Sequence, residues 1–278
     1  MSDIHPTAII SREAQIAPDV KIGPYAIIDG PVKIGPGCVI HAHVRIIGPL
    51  TMGARNMVHS GAVLGDWPQD RKFKGDYSET IIGDDNIFRE HFTVHRGNGL
   101  NAKTIIGSRG FFLVGSHVGH NAVVGNDVIM INGAALGGHT QMADRAILGA
   151  GCAIHQFCRM GRLSMISNIA AFNVDMPPFF IAMSINAVAQ LNAVGLRRSG
   201  MKPESVNALR KMFQIAFRNN HGRPLAGALA DLPAELLAVP EVVEVVEFCK
   251  TAKRGVARFV PWSRQKNLMH SDAVQDAE

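Results

Sequence analysis

From Ile106 to Phe172 a bulky apolar residue returns every six positions without a miss: Ile106, Phe112, Val118, Val124, Met130, Leu136, Met142, Leu148, Ile154, Met160, Ile166 and Phe172. A six-residue period fits neither a helix, at 3.6, nor a plain strand, at 2. It fits a chain that makes a short strand, turns and repeats, with three hexads closing one triangular coil of eighteen residues. That pattern predicts a parallel β-helix. Residues eighteen apart then stack on successive coils, about 4.8 Å from one another, because the coils hydrogen-bond like neighbouring strands. The fifth position of each hexad is also inward-leaning and small, as in Ser116, Ala122, Ala134, Thr140, Cys152 and Ser164. A narrow interior of this kind accounts for an aromatic content of only 6% in a chain that is 47% hydrophobic.

The same rhythm opens the chain. Ile4, Ile10, Ile16, Ile22, Ile28, Ile34, Ile40, Ile46, Met52, Val58 and Leu64 are eleven consecutive first positions, with corners marked by Gly23-Pro24 and Gly35-Pro36. Two excursions interrupt it. Residues 66–80 are polar and dense in charge, and residues 96–103 are glycine-rich, with hexads at Ile82, Phe88 and Val94 between them. Loops that leave a rigid scaffold are where binding and catalysis concentrate.

After Phe172 the pattern stops at Asp175-Met176-Pro177-Pro178, which divides the chain into a repeat coil over 1–178 and an α-helical part over 179–278. Helical periods are expected over Ala187–Leu196, Pro203–Arg218, Glu235–Leu237 and Val242–Arg258. Pro203 suits a first helical turn. The tail from Ser263 is polar.

Composition narrows the function classes. The segment from Ala187 to the end holds 13 Lys/Arg against 9 Asp/Glu and so carries most of the net charge of +5. So small an excess is not a nucleic-acid footprint. It fits either an acidic partner protein or merely solvated basic helices. No run approaches eighteen uninterrupted apolar residues and the N-terminus lacks a basic region with an apolar core, so neither a membrane span nor a secretory signal is expected. Cys38, Cys152, Cys158 and Cys249 lack metal-ligand spacing and read as reduced core residues of a cytoplasmic protein.

Candidate chemistry lies in the histidines. His120, His139 and His155 belong to the hexads starting at Val118, Leu136 and Ile154, which are eighteen apart each time, and His117 sits just before the first of these turns. Three imidazoles near one corner of three consecutive coils suggest a site. Taken singly, each is also an ordinary turn residue.

Gln69-Asp70-Arg71-Lys72, Val94-His95-Arg96-Gly97, His117-Val118-Gly119-His120, Gly138-His139, Ile154-His155-Gln156-Phe157-Cys158 and Gly195-Leu196-Arg197-Arg198 closely resemble the UDP-N-acetylglucosamine 3-O-acyltransferases. That family carries out the first acylation of lipid A biosynthesis, and the likeness covers essentially the whole chain. It implies a left-handed hexapeptide-repeat β-helix followed by a small α-helical domain. It also implies direct transfer of a (hydroxy)acyl chain from acyl carrier protein to the 3-hydroxyl of UDP-N-acetylglucosamine, without cofactor or metal. By resemblance, His120 is the general base and the backbone amide of Gly138 stabilises the oxyanion. Asp70, Lys72, His117, His139, His155 and Gln156 match positions that hold the sugar nucleotide or acyl donor. Asn192 and Arg198 match contacts to the uridine and phosphate end. The family packs as a homotrimer with each site between neighbours.

Two positions depart from the family pattern. Asn121 stands where an acid follows the catalytic histidine. An asparagine oxygen can hold the imidazole tautomer but cannot stabilise imidazolium as a carboxylate does, so Asn121→Asp is expected to raise turnover. Asn168 stands where long-chain enzymes carry a small glycine, and it is expected to close the acyl groove early in favour of a shorter chain. Three other readings stay open. They are N-acylation of an amino-sugar nucleotide, a sugar-nucleotide-binding homologue weakened at Asn121, and a zinc site of three imidazoles, which the matched sugar-nucleotide loops argue against.

Overall fold

Each hexad makes a two-residue strand and a turn, and the second strand residue points inward, as in Ile129–Met130, where Met130 is fully buried. A computed structural model describes residues 3–167, 169–220 and 222–261. Among these, the strands stack into three faces of twelve, nine and eight strands, parallel through Phe172 with successive strands going to successive faces, in the left-handed hexapeptide class of β-helix. Val118 pairs with Leu136 and Leu136 with Ile154, so the three first positions form one column on the nine-stranded face. Fifth positions such as Ser116, Ala122, Ala134 and Cys152 are buried beside that column. The corners turn through left-handed residues, with φ near +60° at Asn121 and His139. Asparagine visits this region at little cost.

The expected excursions are shorter than the polar stretches that announced them. Strands Val63–Asp66 and Ser78–Ile82 leave a loop of residues 67–77, while Thr93–His95 and Ala102–Ile106 leave a loop of residues 96–101. The returning strands pair in register from Ser78 with Ala102 to Ile82 with Ile106. Ser78, Thr80 and Thr104 in these strands are buried, so polar composition overstated the loops. Across these loops, neighbouring coils are thirty residues apart where Asn86 meets Asn56, and twenty-four apart where Gly110 meets Asn86. Both loops leave the end of the nine-stranded face and return on the eight-stranded one. Beside them, the interior admits Phe88, Phe92 and Phe112, with ring centroids 4.9–5.1 Å apart.

Coil hydrogen bonding runs past residue 178. Met176 bridges to Met160, and Phe180–Ser184 pairs parallel with Met165–Ile166. Residues Ala187–Leu191, expected as helix, are instead a strand antiparallel to Phe180–Ser184. A short apolar run does not separate helix from strand, and here the open end of a sheet supplied unpaired backbone groups. Helices follow at Ala193–Arg198 (α1), Pro203–Phe213 (α2), Leu225–Ala230 (α3), Ala234–Leu237 (α4) and Pro240–Lys250 (α5). The helix expected over 242–258 therefore stops at Lys250. Gly255 turns at φ +82°, and Arg258–Phe259 pairs beside Ala187-Val188 to cover that sheet edge. Helix α2 continues as a π-turn over Gln214–Arg218. Phe213 and Phe217 pack on Phe180, and Arg159, paired with Asp175 at 2.7 Å, joins the coil to α5 through the carbonyl and ring of Phe248. The tail from Ser263 lies outside the described residues.

Candidate active site

The strand order brings the loops and the histidines to one edge of the prism. Residues 67–77 and 96–101 span the corner between the nine- and eight-stranded faces. The turns holding His120, Gly138-His139 and His155-Gln156 occupy the same corner on the following coils.

His120 and His139 take different places in their turns. His120 comes two residues after its column residue and His139 three, at φ +60°. Their rings therefore meet edge to face at 5.3 Å instead of stacking. His139 stacks on Phe157 of the next coil at 4.6 Å. His155 comes one residue after Ile154 and is exposed, its Nδ1 3.2 Å from the Gln156 carbonyl. Gln156 is exposed as well. The corner thus gathers His117, His120 and His139 but leaves His155 on its rim.

Nδ1 of His120 lies 2.8 Å from Oδ1 of Asn121. The same oxygen accepts the backbone N–H of Asn98 at 2.8 Å, and Nδ2 of Asn121 donates to the Asn98 carbonyl at 3.3 Å. A backbone N–H only donates and a carbonyl only accepts, so these two bonds fix which end of the amide is oxygen. His120 must then carry its hydrogen on Nδ1, and Nε2 is left as the basic nitrogen. Asn121 is held from below by its own N–H, which donates to Thr104 Oγ1 at 2.8 Å.

Nε2 faces Gly138. A Cβ built there would lie 2.7 Å from both Nε2 and Cε1 of His120, so only glycine lets ring and backbone approach this closely. The Gly138 N–H lacks the cap that its counterparts after the eight-stranded face carry. After the eight-stranded face, the equivalent N–H groups are capped by the next coil: Ala54 by Asp84, Asp84 by Ser108, Ser108 by Asn126 and Asn126 by Asp144, at 2.7–2.9 Å. After the nine-stranded face, the N–H groups of Gly138 and Gln156 have no hydrogen-bond partner among the described residues. A donor left open beside a basic nitrogen is what an acyl transfer requires.

Asp70 opens a tight turn, accepting the Lys72 N–H at 2.9 Å through one oxygen and the Asn98 amide at 2.8 Å through the other. The Lys72 N–H, the nearby His120 ring and the Asn98 amide hold its carboxyl below the ordinary range. The Lys72 side chain is exposed. Burial pushes the imidazole of His117 down to about 4, helped by His95 and His120, while its Nδ1 lies 2.8 Å from Thr93 Oγ1. His95 and His139 shift the same way, first through burial.

Other expected residues lie elsewhere. Asn192 is buried, caps α1 by accepting the Gly195 N–H at 3.0 Å and donates to the Leu163 carbonyl at 2.9 Å, so its amide is engaged at both ends. Arg198 is exposed in the last turn of α1, without contact to the histidines among the described residues. Asn168 lies outside the described residues. Sequence reasoning missed Asn98 and Thr104, and it gave Arg96 a place in a motif without a role of its own. Arg96 donates to the Gly48 carbonyl at 2.8 Å and lies 5.9–6.0 Å from the ring centroids of Phe73 and Trp67, tying the two loops together. An asparagine amid glycines in residues 96–101 was the available signal for the first of these.

Comparison with known proteins bears on both parts of the chain. Residues 175–257 match the family described as UDP N-acetylglucosamine O-acyltransferase, domain 2, and residues 13–48 match the bacterial transferase hexapeptide of six repeats. The chain is 41% identical over 257 residues to the acyl-[acyl-carrier-protein]–UDP-N-acetylglucosamine O-acyltransferase of Anaeromyxobacter dehalogenans, covering 92% of this chain and 99% of that one. It is 39% identical to the enzyme of the same description from Stutzerimonas stutzeri, covering 93% and 100%. The solved UDP-N-acetylglucosamine acyltransferase of Bacteroides fragilis superposes with a TM-score of 0.87 at 36% identity, over 92% of this chain and 100% of the other.

Proposed function

Because the chain belongs to the UDP-N-acetylglucosamine O-acyltransferase family, we propose that its corner site moves a (hydroxy)acyl chain from acyl carrier protein to the 3-hydroxyl of UDP-N-acetylglucosamine. The observation that carries this reading is the juxtaposition of the free Nε2 of His120 with the open N–H of Gly138.

In the reaction, Nε2 of His120 takes the proton of the sugar hydroxyl as its oxygen attacks the thioester carbonyl carbon. The Gly138 N–H donates to the oxyanion that develops. The carbon–sulfur bond then breaks, and the proton held on Nε2 passes to the departing thiolate. No acyl-enzyme is required, in keeping with cysteines whose thiols are pushed up by burial. Asp70 and Lys72 would orient the acceptor beside His120, with His117 and His139 lining the groove.

Phe157, 53% exposed and stacked on His139, leaves apolar surface on the flank of the site. That surface supports a homotrimer in which a neighbouring subunit closes the groove and brings Asn192 and Arg198 of its own α1 region into play. No helix among the described residues is long and apolar enough to cross a membrane, and a cytoplasmic protein is the reading that fits the reduced cysteines.

A panel of acyl carrier protein thioesters of different lengths, each offered UDP-N-acetylglucosamine and its 3-amino analogue, tests the assignment. Transfer to the hydroxyl acceptor that disappears in His120→Ala is the expected result. Preference for the amine would move the chain to the N-acylating class, and preference for the longest chains would remove the role expected of Asn168.

A further inference from the structure

Asn98 lies between Asp70, an acid that feels the charge of the His120 imidazole, and the asparagine that holds that imidazole. Resting on the acyl-transfer reading, we propose that Asn98 is a positioning residue for His120. Its backbone sets which end of the Asn121 amide meets the imidazole, and its side chain holds the Asp70 carboxylate where it balances the charge that His120 gains.

An acid next to a catalytic histidine has two duties, holding the tautomer and offsetting the imidazolium charge. Here they are divided. Asn121 performs the first, but an asparagine amide is close to symmetric in shape and a free one could present either end. Its pair of bonds to Asn98 N–H and C=O removes that freedom. The second duty falls on Asp70, the acid among the titratable groups whose charges act on or are felt from His120, the others being His95, His117 and His139. Asn98 Nδ2 donates to Asp70 Oδ2 at 2.8 Å, while Oδ1 is held by the Lys72 N–H. One residue of residues 96–101 therefore links both parts: carboxylate to Asn98 side chain, Asn98 backbone to Asn121, and Asn121 to His120.

The proton balance is simple. The hydroxyl proton goes to Nε2 and leaves with the thiol, Asp70 stays ionised throughout, and no proton travels along the asparagines. The asparagine pair supplies geometry, and the carboxylate supplies charge at a distance.

The test uses the full chain with acyl carrier protein thioester and UDP-N-acetylglucosamine. It compares the parent, Asn98→Ala, Asp70→Asn and the double variant for kcat, KM and the pH profile of kcat/KM. Asn98→Ala keeps the backbone bonds to Asn121 but frees Asp70. It is expected to lower kcat about tenfold, the size of one lost hydrogen bond to a charged group, to change the KM for the sugar nucleotide less than about twofold, and to move the acid limb of the profile to lower pH. In the Asp70→Asn background the same change should leave that limb where it is. Asn98→Ser, which shortens the side chain and keeps a hydroxyl, carries the measurement if the alanine variant does not fold. A profile that superimposes on the parent's, or shifts that add fully in the double variant, would overturn the proposal. A parent that transfers no acyl chain to the sugar nucleotide would remove the acyl-transfer reading together with everything resting on it. Normal parent turnover with an unaltered Asn98→Ala profile would remove this proposal alone.

Discussion

The imidazole of His120 fills the space that a side chain at residue 138 would need, its Nε2 2.7 Å from where a Cβ would stand. Gly138→Ala therefore acts on the base even though it retains the backbone donor. We expect kcat to fall about a hundredfold, the effect of misplacing a reacting group by about 1 Å, with thermal stability close to the parent's. A near-parental kcat in steady-state assays would show that the ring has room to retreat.

Asn121→Asp is the substitution for which sequence and structure give opposite signs. Read next to His120 alone, a carboxylate there should help. In the fold, its second oxygen would face the Asn98 carbonyl to which Nδ2 now donates at 3.3 Å, and Asn98 would stand between two carboxylates. Losing that bond and adding repulsion costs about 1–2 kcal/mol in the working arrangement, so turnover should drop roughly five- to thirtyfold. Side-by-side kcat values for the two proteins decide between the signs.

Arg96 serves the site through the loop that carries Asp70. Arg96→Ala removes the bond to the Gly48 carbonyl and the cation beside Trp67 and Phe73, which themselves meet at 5.7 Å. The KM for the sugar nucleotide should rise while kcat changes less, and the melting temperature should fall by about 2–8 °C for a loss of about 1–2 kcal/mol. Arg96→Lys should recover little, because a point charge lacks the planar fork. Full recovery by lysine would mean that charge alone sets the loop.

His117 makes stability depend on pH. Its imidazole titrates at about 4 in the fold and near its ordinary 6.5 when unfolded, so the unfolded chain binds more protons between those values. Stability from keeping it neutral is complete above about pH 6.5 and is lost as pH falls toward 4, by up to about 3 kcal/mol per chain. His95 and His139 are lowered too and add to the same trend. Urea midpoints at pH 7.5, 6 and 5 should therefore decline, and less steeply in His117→Gln. Equal slopes in the two proteins would place the proton uptake elsewhere.

Much of this molecule is legible before folding, and the parts that are not have identifiable causes. Counting hexads, not residues, puts Leu64 and Val94 in the column of Val118, Leu136 and Ile154, so the shared corner of both loops and the histidines was already written in the repeat. Contacts made inside the loops were not. Asn98 reaches Asp70 and Asn121 only because residues 96–101 fold back across the corner, and no periodicity governs that path. Asn192 carries a duty that no motif announced: its side chain caps a six-residue helix. The strand at Ala187–Leu191 escaped because its partner is the exposed edge left where the coil ends, a tertiary circumstance invisible in five apolar-rich residues.

Because every coil supplies one storey of the groove, the repeat behaves like a reading frame. Removing a single hexad between Val124 and Leu136 would carry each later residue to the neighbouring side of the prism, parting Gly138 from His120 while leaving the interior just as oily. Removing three, residues 125–142, would restore the phase and bring His155 and Gln156 down beside His120. The length of an insertion or deletion, more than its chemistry, thus decides whether such a protein keeps its groove.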